Sequence, residues 1–167
     1  MILGMSLSAF TTLHVVLSLI GIAAGFVVLF GMLGAKTLPR WTALFLATTV
    51  LTSVTGFMFP FERVLPSHVF GVISLGVLAA ALFARYGRRL AGSWRWIYVV
   101  GAAVALYLNS FVAVFQALLK VPAVHALAPT QAEPPFAIAQ GALLLFFIVL
   151  TFLAIRKFHP RAGMYAR

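Results

Sequence analysis

Hydrophobic positions in this chain do not alternate with polar ones. They come in five long runs, separated by short clusters of charge and proline. Residues 1–35 carry no charged side chain, and their apolar core extends from about Ala9 to Leu33. The later runs are Trp41–Phe61, Val64–Phe83, Trp96–Leu119 and Pro134–Ile155. A helix rising about 1.5 Å per residue needs about 20 apolar residues to cross a hydrocarbon core about 30 Å thick. Each run reaches that length, and the lack of period-2 alternation argues against a β-barrel. The pattern therefore predicts an all-α, polytopic transmembrane helix bundle. Five spans are expected in a single domain, at about residues 9–33, 41–60, 66–84, 95–119 and 135–156. No internal repeat or low-complexity linker divides them. The first run lacks the positive start of a signal peptide and outlasts an ordinary signal h-region, so it is expected to be retained as a helix.

Composition agrees: 63% of residues are hydrophobic and 8% charged, against about a quarter charged in a soluble domain. That inventory cannot clothe a soluble surface, and its apolar content excludes intrinsic disorder. The formal charge of +10 raises nucleic acid as a partner only until its distribution is examined. The basic residues form no stripe or recognition motif. They sit between apolar runs, where they set topology and meet anionic headgroups of the lipid bilayer. Lys36 and Arg40 follow the first run. Arg85, Arg88, Arg89 and Arg95 separate the third from the fourth, and Arg156, Lys157, Arg161 and Arg167 follow the fifth. With five spans, ten of the twelve basic residues share one side. The other keeps Arg63, Lys120 and the two acidic residues, Glu62 and Glu133. This asymmetry predicts an N-terminus outside and a C-terminus in the cytoplasm of a multi-pass protein of a cell membrane, of the bacterial inner-membrane kind. Trp41, Tyr86, Trp94, Trp96 and Tyr98 are expected as interfacial anchors on the basic side.

Helices in lipid associate through close backbone approach and polar contacts. Small-residue stripes offer such seams: Thr11, His14, Ser18, Gly21 and Gly25 in the first span, and Thr49, Thr52, Ser53 and Gly56 in the second. Ser67, Gly71 and Ser74 mark the third, Ala102, Ala105, Asn109, Ala113 and Gln116 the fourth, and Ala137, Gln140 and Gly141 the fifth. One connection, from Lys120 to Pro135, is long and holds four prolines. It is expected to lie on the membrane surface or fold over the bundle as a lid.

The larger polar side chains concentrate toward the outer ends of the spans. His14 lies within the first, His68 opens the third, Asn109 and Gln116 stand two turns apart on the fourth, and Gln140 begins the fifth. A polar group in hydrocarbon is costly unless paired, so this grouping points to a shared pocket. Those five residues are the candidate ligand or cofactor site, with His14 foremost. Phe57, Phe59, Phe61, Phe111, Phe115 and Phe136 supply an aromatic surround suited to a quinone or another small amphipathic molecule. A sharper version is haem b held by His14 and His68, with Arg63 and Lys120 toward its propionates. A metal held by His14, His68 and His125 would lack carboxylate or thiolate partners.

Enzyme motifs are missing: there is no HExxH, no Walker-type loop and no GxSxG, and whether any reaction is catalysed stays open. With no aspartate and no glutamate inside a span, carboxylate-coupled ion transport is disfavoured. Absence of cysteine removes disulfides and thiolate chemistry. Two further readings remain beside ligand binding. The chain can be an accessory or assembly subunit of a larger membrane complex, or a small transporter or channel acting as a homo-oligomer.

Overall fold

The computed structural model describes residues 2–60 and 66–160. Its regular elements are all helical, with no strand among the described residues. Helix α1 runs Leu7–Leu33; the Ser6 hydroxyl caps it by accepting from the Ala9 amide at 3.2 Å. Helix α2, Pro39–Gly56, begins on a proline whose missing N–H would have no partner there anyway. Helix α3, Pro66–Leu82, continues into a π-helical turn over Phe83–Gly87. Helix α4 spans Trp94–Lys120, α5 is a single turn at Pro122–His125, and α6 spans Pro134–Lys157.

Four helical segments are long and apolar enough to cross a membrane: Leu7–Leu33, His68–Gly87, Trp94–Lys120 and Pro134–Lys157. The fold is thus compatible with a multi-pass membrane protein. Helix α2 falls outside this set because hydroxyl side chains dilute its apolar run. Their chemistry is internally settled, however. Thr48 bonds to the Leu44 carbonyl at 2.7 Å, Thr49 to Phe45 at 2.7 Å, Thr52 to Thr48 at 2.8 Å and Thr55 to Leu51 at 2.7 Å. Each hydroxyl folds back onto its own helix, which removes most of the polarity that composition records. Helix α2 ends at Gly56, before the Pro60 to which the apolar run extends.

Helix α4 is the centre of the bundle and touches α1, α2, α3 and α6. Half of its most apolar stretch is buried, against a third or less in the other three segments. Close approach occurs where α1 carries glycine. A Cβ on Gly25 would stand 2.6 Å from Leu106 Cδ1 and 2.9 Å from the Phe45 ring, and one on Gly21 would stand 3.1 Å from the Thr48 and Thr49 hydroxyls. The α1 seam through His14, Ser18, Gly21 and Gly25 therefore faces α2 and α4. The seam expected on α6 is different. Gly141 has open space where a Cβ would stand, Ala137 is exposed, and only Gln140 turns inward. Glycine on that face reflects no helix contact.

Tyr98 gathers the helix ends at the basic side. Its hydroxyl lies 3.4 Å from that of Thr42, its ring lies under the Arg85 guanidinium, and Phe158 packs beside it. Tyr98 is only 1% exposed, so it is a core residue and not the interfacial anchor that its position in the sequence implied. Nearby, Arg95 Nη1 donates to the carbonyls of Ile155 at 2.9 Å and Phe158 at 2.7 Å. An arginine of α4 thereby closes the C-terminus of α6, where carbonyls lack helical partners. The start of α2, the end of α3, the start of α4 and the end of α6 thus meet at one end, and the described basic clusters flank it.

Candidate functional site

At the opposite end of the bundle, α1, α2, α3 and α4 enclose a cavity of about 100 Å³. Its wall joins His14 of α1, Thr49, Thr52 and Ser53 of α2, His68 and Ser74 of α3, and Asn109 of α4, with Phe57 and Phe70 among its apolar lining. Three of the five residues singled out from sequence, His14, His68 and Asn109, therefore border one space although they come from three helices.

His14 is half-buried, and its Nδ1 lies 2.8 Å from the Thr55 hydroxyl oxygen. The single hydrogen on that hydroxyl already goes to the Leu51 carbonyl. Both contacts form together when the imidazole donates, in the tautomer with the proton on Nδ1 and the lone pair on Nε2. Phe59 meets the imidazole edge-on, with centroids 5.2 Å apart. Gly56 makes room for the ring: a Cβ there would lie 3.7 Å from His14 Cε1.

His68 lies nearly parallel to Phe57, with centroids 5.8 Å apart. Phe57 in turn fills the notch above Gly71, where a Cβ would come within 2.7 Å of its ring. On the α4 side, Ser18 donates to Asn109 Oδ1 at 2.8 Å while Asn109 Nδ2 reaches the Ser18 carbonyl at 3.4 Å. The Ser53 and Ser74 hydroxyls lie 3.1 Å apart across the α2–α3 seam. These α2 and α3 hydroxyls read in sequence as packing positions. Their spacing of three and four residues identifies a common face, but nothing in it indicates that the face borders a cavity.

Gln116 and Gln140 are not part of this wall. Gln140 Nε2 donates to the Phe111 carbonyl at 3.1 Å, which ties α6 to α4. The Oε1 atoms of Gln140 and Gln116 are both buried with no hydrogen-bond partner among the described residues. Of the expected aromatic surround, Phe57 and Phe59 lie at the site, whereas Phe115 pairs with Phe136 elsewhere. Phe111 packs behind Phe70 at 5.2 Å. Phe61 and Arg63 lie outside the described residues.

The long connection is ordered, but it does not cover the cavity. Its α5 turn sets His125 Nδ1 3.1 Å from the Leu118 carbonyl, Ala128 is fully buried, and Gln131 Nε2 lies 3.4 Å from the Phe115 carbonyl. The connection folds back on the end of α4, and none of its residues lines the cavity. Where it rejoins α6, Glu133 Oε1 accepts from the Thr130 amide at 3.0 Å and the Thr130 hydroxyl at 2.8 Å. Covering its other oxygen pushes the Glu133 pKa up. The Thr130 bonds and nearby backbone amides outweigh that and hold it below the ordinary value of 4.5.

The geometry narrows the chemistry. Among the described residues no three histidine or acidic side chains gather to hold a metal, so His125 does not join His14 and His68. At about 100 Å³ the cavity is smaller than the one of about 150 Å³ that admits a benzene ring, so lining side chains would have to move for any ring to enter, far more for a haem macrocycle than for a single ring. The cavity presents the imidazoles of His14 and His68, hydroxyls, an amide and aromatic faces, which suits the polar edge of a compact ring. Comparison with protein-family models, with curated proteins and with solved structures finds no match to this chain.

Proposed function

We propose that this protein is a five-span integral membrane protein that binds the head of a small amphipathic molecule, of the quinone or quinol class, between His14, His68 and Asn109. The observation that carries this reading is the cavity itself. Imidazoles on α1 and α3 and an amide on α4 border one space that is only partly filled by side chains. With its proton on Nδ1, His14 would offer Nε2 as an acceptor, which fits a ring hydroxyl as donor. Phe57 and Phe70 would flank a planar head, and its tail would lie in the surrounding lipid. Because the cavity is tighter than a benzene-sized one, binding requires Phe57 or another lining side chain to yield slightly.

The fifth span is α2. Its hydroxyls are self-bonded, and at about 1.5 Å per residue its 18 residues extend roughly 27 Å, close to the thickness of a hydrocarbon core. With α2 counted, ten of twelve basic residues fall on one side, which supports a cytoplasmic C-terminus and an N-terminus outside. The binding cavity then opens in the outer half of the bundle.

The test is to titrate purified protein with a short-tailed quinol by calorimetry, comparing wild type with His14→Phe. Saturable binding that is lost in the variant supports the reading. No binding by the wild type, or equal binding by both, would remove it and favour an accessory subunit of a larger membrane complex.

A further inference from the structure

A second cavity, of about 340 Å³, lies in the furrow between α4 and α6. Phe147 lies along its floor, and Ala103 and Tyr107 form the α4 bank. Along α6 it runs from Leu144 to Ile155, a length of roughly 16 Å at 1.5 Å per residue. That is about half the thickness of a hydrocarbon core of about 30 Å. The half occupied is the one that ends at the basic side, since Ile155 adjoins Arg156. The furrow therefore has the depth of a single leaflet. Of its two hydroxyls, that of Thr151 bonds to the Phe147 carbonyl at 2.6 Å and the other belongs to Tyr107; every other lining side chain is hydrocarbon, so the furrow suits an apolar occupant.

The mouth of the furrow is cationic. Arg156 stacks over the ring of Phe152, a residue of the furrow wall, 4.3 Å from its centroid. The terminal carbonyls of α6 at Ile155 and Phe158 already accept from Arg95, so they make no call on Arg156. Among the described residues that flank this end, 34–38, 88–93 and 158–160, none is aspartate or glutamate. Trp96 lies seven residues before Ala103 and eleven before Tyr107, hence on the same face of α4, and is 47% exposed at headgroup level.

An apolar slot one leaflet deep with a guanidinium stacked on its wall matches a single class of occupant. We propose that the α4–α6 furrow is a binding site for one anionic phospholipid, with an acyl chain along Phe147 and the phosphate held by Arg156. The site is separate from the His14 cavity. It requires that α4 and α6 span the bilayer, but not that a particular side face the cytoplasm.

Native mass spectrometry of delipidated protein titrated with phosphatidylglycerol or phosphatidylcholine of identical chains tests this. Wild type should take up one phosphatidylglycerol ahead of any phosphatidylcholine. Arg156→Ala should cut that preference roughly five-fold, Arg156→Lys should retain most of it, and Lys157→Ala, on the face of α6 opposite the furrow, should leave it unchanged. Leu144→Trp, which fills the deep end, should weaken both lipids while sparing the headgroup preference. Thermal melting without added lipid checks that each variant is folded. Equal uptake of the two lipids by wild type, or an unchanged preference in Arg156→Ala, overturns the proposal. So does a wild-type dimer that Leu144→Trp dissociates, because the furrow would then be covered by a second copy.

Discussion

Among the described residues, His14 makes a hydrogen bond through one ring nitrogen, Nδ1 with Thr55. Removing it should therefore be mild for the fold. In His14→Phe, Thr55 keeps its bond to the Leu51 carbonyl, and a single interhelical hydrogen bond in a membrane contributes about 0.6–1.7 kcal/mol. The variant should melt within that margin of wild type while losing quinol binding. A loss of several kcal/mol would instead make His14 a structural residue. Glycines give a sharper contrast. Gly25→Ala drives a Cβ to 2.6 Å from Leu106 and 2.9 Å from the Phe45 ring, and overpacking of this kind costs about 1–3 kcal/mol. Gly141→Ala meets nothing within 4 Å and should lie within about 0.5 kcal/mol of wild type. Comparable melting of the two variants would mean that α1 does not dock on α2 and α4 through this seam.

At the scale of elements, the connection between α4 and α6 is held by a carboxylate that titrates. The folded pKa of Glu133 is the lowered one, so its contribution is complete above the ordinary value of 4.5 and fades as pH falls through the folded value. Protection of the Thr130 amide, measured by hydrogen exchange against its intrinsic rate, should hold at neutral pH and decline on acidification. Glu133→Gln should abolish that pH dependence; a decline that survives the substitution would place its origin elsewhere. Sequence made the helices legible because uninterrupted apolar runs have one dominant solution in lipid. Three of the five candidate site residues also proved to share a cavity, since a costly polar group must be turned toward other helices. The remainder was hidden for physical reasons. Gln116 and Gln140 share the polarity and depth of His14, but nothing along a single chain shows which side of α4 each will meet. Tyr98 looked like an interfacial anchor because its burial depends on Thr42, Arg85 and Phe158, which are far away in sequence.

For the whole molecule, the basic asymmetry and the proposed five spans together predict one orientation. A reporter fused after Arg167 should be active only in the cytoplasm, and a label in the 120–135 connection should react only from outside. A C-terminal reporter found outside would argue for an even number of spans and displace α2 from the membrane. Helix α2 also bears on how the protein is made. A translocon judges each segment largely by its own hydropathy as it emerges, before neighbours exist. A helix whose hydroxyls turn back on its own carbonyls, and whose packing face is completed by α1 and by the later α3 and α4, is a weak candidate at that moment. Helix α1, the most hydropathic of the four qualifying segments, emerges just before it and can shelter the Thr48–Thr49 face at Gly21. In a glycosylation-mapped insertion assay, the α2 segment alone should therefore partition incompletely, and its insertion should rise when α1 precedes it. Loss of that rise with Gly21→Leu would trace the help to this contact. The two helices would then enter the bilayer as a hairpin, with biogenesis of the second depending on the first.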